Sequence, residues 1–566
     1  MIKRPFLTLL MLLLASSLVA GQEAGDTAML REHVLRYGQA RVSVLFSGRD
    51  EAGRIGSRVP IDNIREGRLN LKLSIADIEP FLSLGIPFRV DDPPDYKAII
   101  TASDMSKALD WQTYPTHTQY DSIMRKFASD YPGLCRLDTI GTSILGRYVL
   151  VLKISDNVHI NEEDEPEVFY SSTIHGDELA GFVLMLRLAS YLLENYATDA
   201  GVSHLVNNLQ IYINPLANPD GTYRTGDIIS SPTRGNANGR DLNRNFPDPM
   251  SPGIVQEKET IDMMAFMKKH RFVLSANFHS GFEVVNYPWD RWSRLHADDE
   301  WFIDVCRAYA DTVHTYSPLS YMSEFDNGVV RGSVWYIIYG GRQDYVTYSL
   351  QGREVTVELD YTDLTPAGEL EDLWQYNHRS LLNYLLSALN GVRGRVTSAL
   401  SGEPVEARVF IPGHDTDSSD VWSSPLSGNY NRLLNQGTWT FQFSAAGYRD
   451  TIITGIEVLP AQATFLDVAM EPVAVEEDTL TTDILLVFPN PSRGEYSVLL
   501  PESMEGEVEV EIVSSSGVYI AKQTIQYEAF TPFTLTSPRL ASGVYILKAR
   551  SLLTGRRVTG RVIIVR

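Results

Sequence analysis

The chain has 566 residues, 44% of them hydrophobic and 21% charged, and a formal charge of −22. That length exceeds what one hydrophobic core organises and predicts three or four domains. The acidity argues against nucleic acid as a partner, because gripping a polyphosphate needs a basic face.

In chain order, "MIKRPFLTLLMLLLASSLVAG" sets Lys3 and Arg4 before an apolar run and a small-residue end, the layout of a cleaved export signal over residues 1–21. The run falls short of the roughly 20 residues that span a bilayer, and no later run reaches that length, so the mature chain is expected to carry no transmembrane segment. Residues 22–95 alternate short strand-like and helical pieces ("ARVSVLF", "LNLKLSIADIEPFLSLG", "IPFRV") and predict a small α+β unit of βαβ type, either a pro-segment or an accessory domain. "DDPPD" at Asp91–Asp95 closes it as a linker, since consecutive prolines break helix and strand alike.

Over residues 118–390 strand-like runs such as "EVFYSSTI", "LQIYINPLA", "FVLSANFH" and "EVTVELD" alternate with helical ones such as "LAGFVLMLRLASYLLENYA" and "LEDLWQYNHRSLLNYLLSAL". This alternation predicts an α/β fold, a mixed sheet with helices on both faces. Residues 391–472 turn to short β runs separated by Gly, Pro, Ser and Asn, as in a β-sandwich. After the acidic linker "VAVEEDTLTT", residues 483–566 are β again, a second sandwich. Export permits a disulfide between Cys135 and Cys306, but Cys306 falls in the helical stretch "WFIDVCRAYADTV", which favours a buried free thiol.

A zinc-type hydrolytic site needs three protein ligands, an open position and a carboxylate to move protons. His175 and Glu178 in "SSTIHGDELAG" follow one strand, His279 closes "FVLSANFH", and Glu358 lies in "VTVELD". Ends of neighbouring strands are where α/β sheets place ligands. Taken singly, the His-x-x-Glu pair reads as a solvated turn, His279 as a core histidine and Glu358 as a surface carboxylate. The remaining histidines have no comparable strand-end context.

The segments "NPDGTYR", "DLNRNFPD", "NFHSGFEVVNYPWD", "GSVWYIIYGGRQDY" and "VTVELD", following "HGDE" in that order, resemble the zinc metallocarboxypeptidases, and more closely their D, N and E branch. The resemblance implies that His175, Glu178 and His279 hold one Zn2+ and that Glu358 is the general base and acid. Two histidines and a glutamate are the ligand set known for carboxypeptidase A, so this assignment follows the family. It further implies Arg234 as the oxyanion partner, Asn243 and Arg244 as the clamp for a free C-terminal carboxylate, and Tyr336 as the tyrosine that closes over substrate. Asp290 and Gln343 match positions lining the pocket in members that remove C-terminal Lys or Arg; the alternative is that Asp290 pairs with Arg291 or Arg294. Two departures bear on specificity: Asp177 stands where the digestive branch has arginine, and "HSGF" puts Ser280 and Phe282 beside the third ligand.

The implied activity is therefore an exopeptidase acting on peptide or protein C-termini. An amidase or deacylase on the same scaffold, and a catalytically silent surface binder, are the rivals. Residues 391–472 resemble the transthyretin-like domain of the same branch. "VFPNPSRGEYSVLL" and "LASGVYILKA" resemble the sorting domain read by the type IX secretion machinery, which implies a secreted or outer-membrane-surface protein.

Overall fold

The computed structural model describes residues 25–250, 254–473, 484–515, 517–535 and 540–565. The export signal expected over residues 1–21 and residues 474–482 of the acidic linker lie outside these. The chain divides after Pro472 into two compact units.

The N-terminal part opens with helix α1 (25–37). It continues as β1 (Gln39–Leu45), α2 (Arg49–Gly56), β2 (Ile61–Arg65), β3 (Arg68–Ser74), α3 (Ile78–Leu82) and β4 (Arg89–Val90). The sheet order is β2-β3-β1-β4, and every pairing is antiparallel. A simple βαβ unit is thus not what forms. Arg65 pairs with Arg68 across the two-residue turn Glu66-Gly67, whose φ values of 49° and 72° suit a tight hairpin. So short a turn forces β3 against β2 and inserts it between β1 and β2, splitting the βαβ crossover. Leu30, Val42, Ile55, Leu71 and Phe81 close this unit's own core.

The central sheet has eight strands: β5 (Cys135–Thr142), β6 (Tyr148–Ile154), β7 (Glu167–Ser172), β8 (Gln210–Asn214), β9 (Phe272–His279), β10 (Phe282–Tyr287), β11 (Val329–Arg331) and β12 (Arg353–Asp360). Their order is β11-β10-β12-β9-β7-β8-β6-β5. The middle strands β12, β9, β7 and β8 run parallel, and β10 and β6 join them antiparallel. Their near-continuous apolar sequences follow from having both faces covered. Helices α4 (Ala180–Asn195), α6 (Asp299–Tyr316) and α7 (Leu370–Ser387) bury one face, and α5 (Lys258–Lys269) covers the other through Phe266 against Phe169 and Tyr212. The α/β fold with helices on both faces is therefore as the sequence predicts. Helix α4 is apolar nearly all round and correspondingly buried along its length. Cys135 and Cys306 are separate buried free thiols.

Residues 391–472 form two small sheets around Val392, Val396, Phe441 and Phe443. The C-terminal unit likewise pairs a three-stranded with a four-stranded sheet around Val498, Val508, Leu547 and Val562.

Candidate active site

The loop after β7 makes a sharp turn, with Thr173 at φ 59° and Gly176 pressed on another backbone: a Cβ at Gly176 would lie 2.4 Å from the Gly221 carbonyl carbon. This turn brings His175 and Glu178 to the carboxyl ends of β7 and β9. His279 is the last residue of β9, and Glu358 of β12 pairs with it in register. His175 Nδ1 lies 2.7 Å from Glu178 Oε1, His279 Nδ1 lies 2.7 Å from Glu178 Oε2, and the two Nδ1 atoms are 3.1 Å apart.

The far ring nitrogens are held as well. His175 Nε2 meets Asp241 Oδ1 at 2.9 Å, and His279 Nε2 meets Asn277 Nδ2 at 2.7 Å. Two imidazoles and a carboxylate converging with their backs fixed, and with one side open to a cavity, suit a zinc ion. Asp241 also accepts from Arg234 Nε at 2.9 Å, so one carboxylate orients both a cage histidine and the neighbouring guanidinium. Asp241 begins "DLNRNFPD", where nothing in the sequence marks it as the partner of His175 and Arg234.

Electrostatics separate the two glutamates. Burial would raise Glu178, but His175 and His279 hold it well below the usual carboxylate range. Burial and the nearby Glu178 charge push Glu358 well above it. A carboxyl that readily holds a proton thus stands beside one that stays ionised, the division expected of an acid/base and a ligand.

Around the same cavity lie Arg234, Asn243, Arg244, Asp290 and Tyr336. Asn243 Oδ1 accepts from the Arg342 N–H at 2.9 Å, which leaves its Nδ2 as the donor for a ligand. Gln343 lies behind the wall: its Nε2 and that of Asn286 Nδ2 both donate to Asp290 Oδ1 at 3.0 Å. Asp290 does not pair with Arg291 or Arg294, which reach Asp248 and Asp417 instead. Its carboxyl is buried without a salt-bridge partner, and burial pushes it up to about 6. Ser280 donates its N–H to Glu178 Oε2 at 3.3 Å, while Phe282 packs with Trp335 and Tyr361 at the cavity edge.

The N-terminal part occupies the mouth of this site. Ile61 O accepts from Arg244 Nη2 at 3.0 Å, Asp62 O from the Tyr336 hydroxyl at 3.2 Å, and Asp62 Oδ1 from Arg234 Nη1 at 2.9 Å. Gln39 Nε2 reaches Asp177 Oδ2 at 2.9 Å, and the Gln39 side-chain oxygen accepts from Arg234 N at 2.8 Å. What remains of the cleft is about 20 Å³, room for a water and not for a peptide. None of these contacts was visible in the sequence.

A parallel-centred α/β sheet with this cage and a second glutamate at its strand ends, and a guanidinium from a neighbouring loop, is the framework of a metallohydrolase. Residues 120–380 match the zinc carboxypeptidase family model, residues 391–471 the carboxypeptidase regulatory-like domain, and residues 486–565 the secretion system C-terminal sorting domain. The chain is 36% identical to human carboxypeptidase D over 352 residues, 58% of this chain and 24% of that protein. It is 32% identical to carboxypeptidase SOL1 of Arabidopsis thaliana over 394 residues, 67% of this chain and 74% of that one. To the human carboxypeptidase N catalytic chain it is 31% identical over 399 residues, covering 62% and 85%. The chain belongs to the zinc carboxypeptidase family, and it spans about a quarter of the length of the carboxypeptidase D sequences it matches.

Proposed function

We propose that this protein is an exported zinc-dependent carboxypeptidase that removes single C-terminal residues, Lys or Arg by preference, and that residues 22–95 are a pro-segment that keeps it shut. The observation that carries the reading is the convergence on one cavity of the His175–Glu178–His279 cage, Glu358, Arg234, the Asn243–Arg244 pair and an uncompensated buried Asp290.

Zinc, when bound in the cage, supplies a Lewis acid that polarises the scissile carbonyl and makes water a better nucleophile near neutral pH. Glu358 takes the proton of the attacking water and hands it to the departing amine. Arg234, fixed by Asp241, donates to the carbonyl oxygen as negative charge grows there. Arg244 and Asn243 Nδ2 grip the terminal carboxylate, a planar match of fork to carboxylate that an endopeptidase or amidase would not need. Asp290 selects a cationic side chain, because an aliphatic one would leave its carboxylate unpaired. Intact cage and base residues speak against a silent binder. The sorting-domain match, with the N-terminal export signal, supports passage through the type IX secretion machinery to the cell surface or the medium.

The test is hydrolysis of blocked dipeptides ending in Arg, Lys, Phe or Leu, with and without a zinc chelator. Chelator-sensitive release of Arg and Lys is expected, with Glu358→Gln lowering kcat by roughly 10²–10⁴-fold. Release of Phe or Leu instead would unseat Asp290 as selector. No release by the zinc-loaded protein after its linker is cut would put the amidase and binder readings ahead.

A further inference from the structure

Lys72 belongs to β3 of the N-terminal part, yet it is 3% exposed. Its Nζ lies 3.0 Å from Asp177 Oδ2, 2.9 Å from Asp363 Oδ1 and 3.2 Å from Asp62 Oδ1. Asp177 and Asp363 are both on the catalytic side. Asp177 stands inside the cage loop, between His175 and Glu178. Asp363 flanks the cage from the other direction, its carbonyl accepting from Leu179 N–H at 3.0 Å and from the Ser280 hydroxyl at 3.3 Å.

Among the described residues, the side chains that hydrogen-bond or ion-pair with these two carboxylates are Gln39, Arg41 and Lys72, all from the N-terminal part. Asp177 is 2% exposed, and its Oδ1 has no hydrogen-bond partner even with Lys72 in place. Two carboxylates held this close, with no cation of their own domain, favour an incoming positive charge.

The docked segment also gives the notch a direction. Ile61 O sits on Arg244, Asp62 on Arg234, and Lys72 on Asp177 and Asp363. Arg244 and Asp290 line one cavity, Lys72 and Asp363 a second, and Asp62 and Asn63 line both. A peptide with its terminal carboxylate on Arg244 and its scissile carbonyl by Arg234 therefore has its upstream path past Asp62 and Asn63 toward Asp363, and Asp177 adjoins Asp363 through the shared Lys72 ammonium.

We propose that Asp177 and Asp363 form a cation subsite for a basic side chain one or two residues upstream of the cleaved bond, with Lys72 as its built-in stand-in. The preferred substrates are then C-termini with clustered basic residues. This rests on the carboxypeptidase reading above and on the N-terminal part leaving the cleft.

The test uses the full chain with a sequence-specific protease site placed in Asp91–Asp95, cut so that every residue is still present. kcat/KM is measured for Arg release from blocked Ala-Ala-Arg, Ala-Lys-Arg, Lys-Ala-Arg and Ala-Glu-Arg. A lysine at one upstream position should raise kcat/KM roughly tenfold over Ala-Ala-Arg, and glutamate should lower it. The gain should shrink in high salt. Asp363→Asn and Asp177→Asn should each bring the Lys-to-Ala ratio toward one, a ratio that a general loss of activity does not move. Equal rates on all four peptides, or a lysine gain that survives in both variants, would overturn the subsite and leave the C-terminal Arg reading standing. If neither variant folds, the wild-type peptide series still decides. Release of Arg from none of the four would overturn both readings.

Discussion

At Asp290 a single buried carboxyl connects burial and charge with the selectivity proposed above. Its pKa, pushed up to about 6 by burial, makes it neutral below that pH and anionic above it. A guanidinium is held only by the anion, so kcat/KM for Arg-ending substrates should fall as pH drops from 7 to 5, following the free enzyme's ionisation. Asp290→Asn should lose most of the Arg preference and flatten this part of the profile relative to a Phe-ending substrate. A profile unchanged by the substitution would mean that another group selects the side chain. Asp290 could be located in the sequence from the family-like "NYPWD", but its ionic state could not. That depends on Arg291 and Arg294 finding Asp248 and Asp417 instead, pairings set by distant loops.

Among the elements, the turn after β7 is closely bound by backbone on its far side. A methyl group at Gly176 would lie 2.4–2.5 Å from the backbone of Gly221 and Thr222, which cannot swing away as a side chain can. Gly176→Ala should therefore cost about 1–3 kcal/mol in urea unfolding, and the displaced cage loop should surrender its metal to lower chelator concentrations. The polar residues at the ends of β7, β9 and β12 are legible in the sequence because each ends or interrupts an apolar run. The turn of their rings is not, because it is set from Asp241 and Asn277. Lys72 is less legible still. In "RLNLKLS" it falls where strand alternation puts solvent-facing residues, yet it is buried against Asp177 and Asp363, residues more than a hundred positions away in the chain. The β2–β3 hairpin likewise turned on two residues, Glu66 and Gly67, that the broader pattern of strand and helix concealed.

Across the molecule, the catalytic sheet is tied to residues 391–472 by a buried ionic knot. Asp298 accepts from Arg353 at 2.6 Å, from Arg432 at 2.8 and 2.9 Å and from His414 at 2.8 Å. The last two belong to the β-domain. Asp298→Asn would strand Arg353 beside Arg432, and a loss of about 3–5 kcal/mol in global stability is expected from calorimetry or denaturant unfolding. At the other end, Ile61 and Asp62 hydrogen-bond Arg244, Arg234 and Tyr336, the groups proposed above to hold substrate, so on that proposal chemistry and access belong to different parts of one chain. The most direct measurement is release of Arg from a blocked Ala-Arg dipeptide by the full zinc-loaded chain before and after a single cut engineered within Asp91–Asp95. Little release before the cut and chelator-sensitive release after it is the expected result. Equal release before and after would contradict the closed precursor, and none in either state would contradict the carboxypeptidase itself.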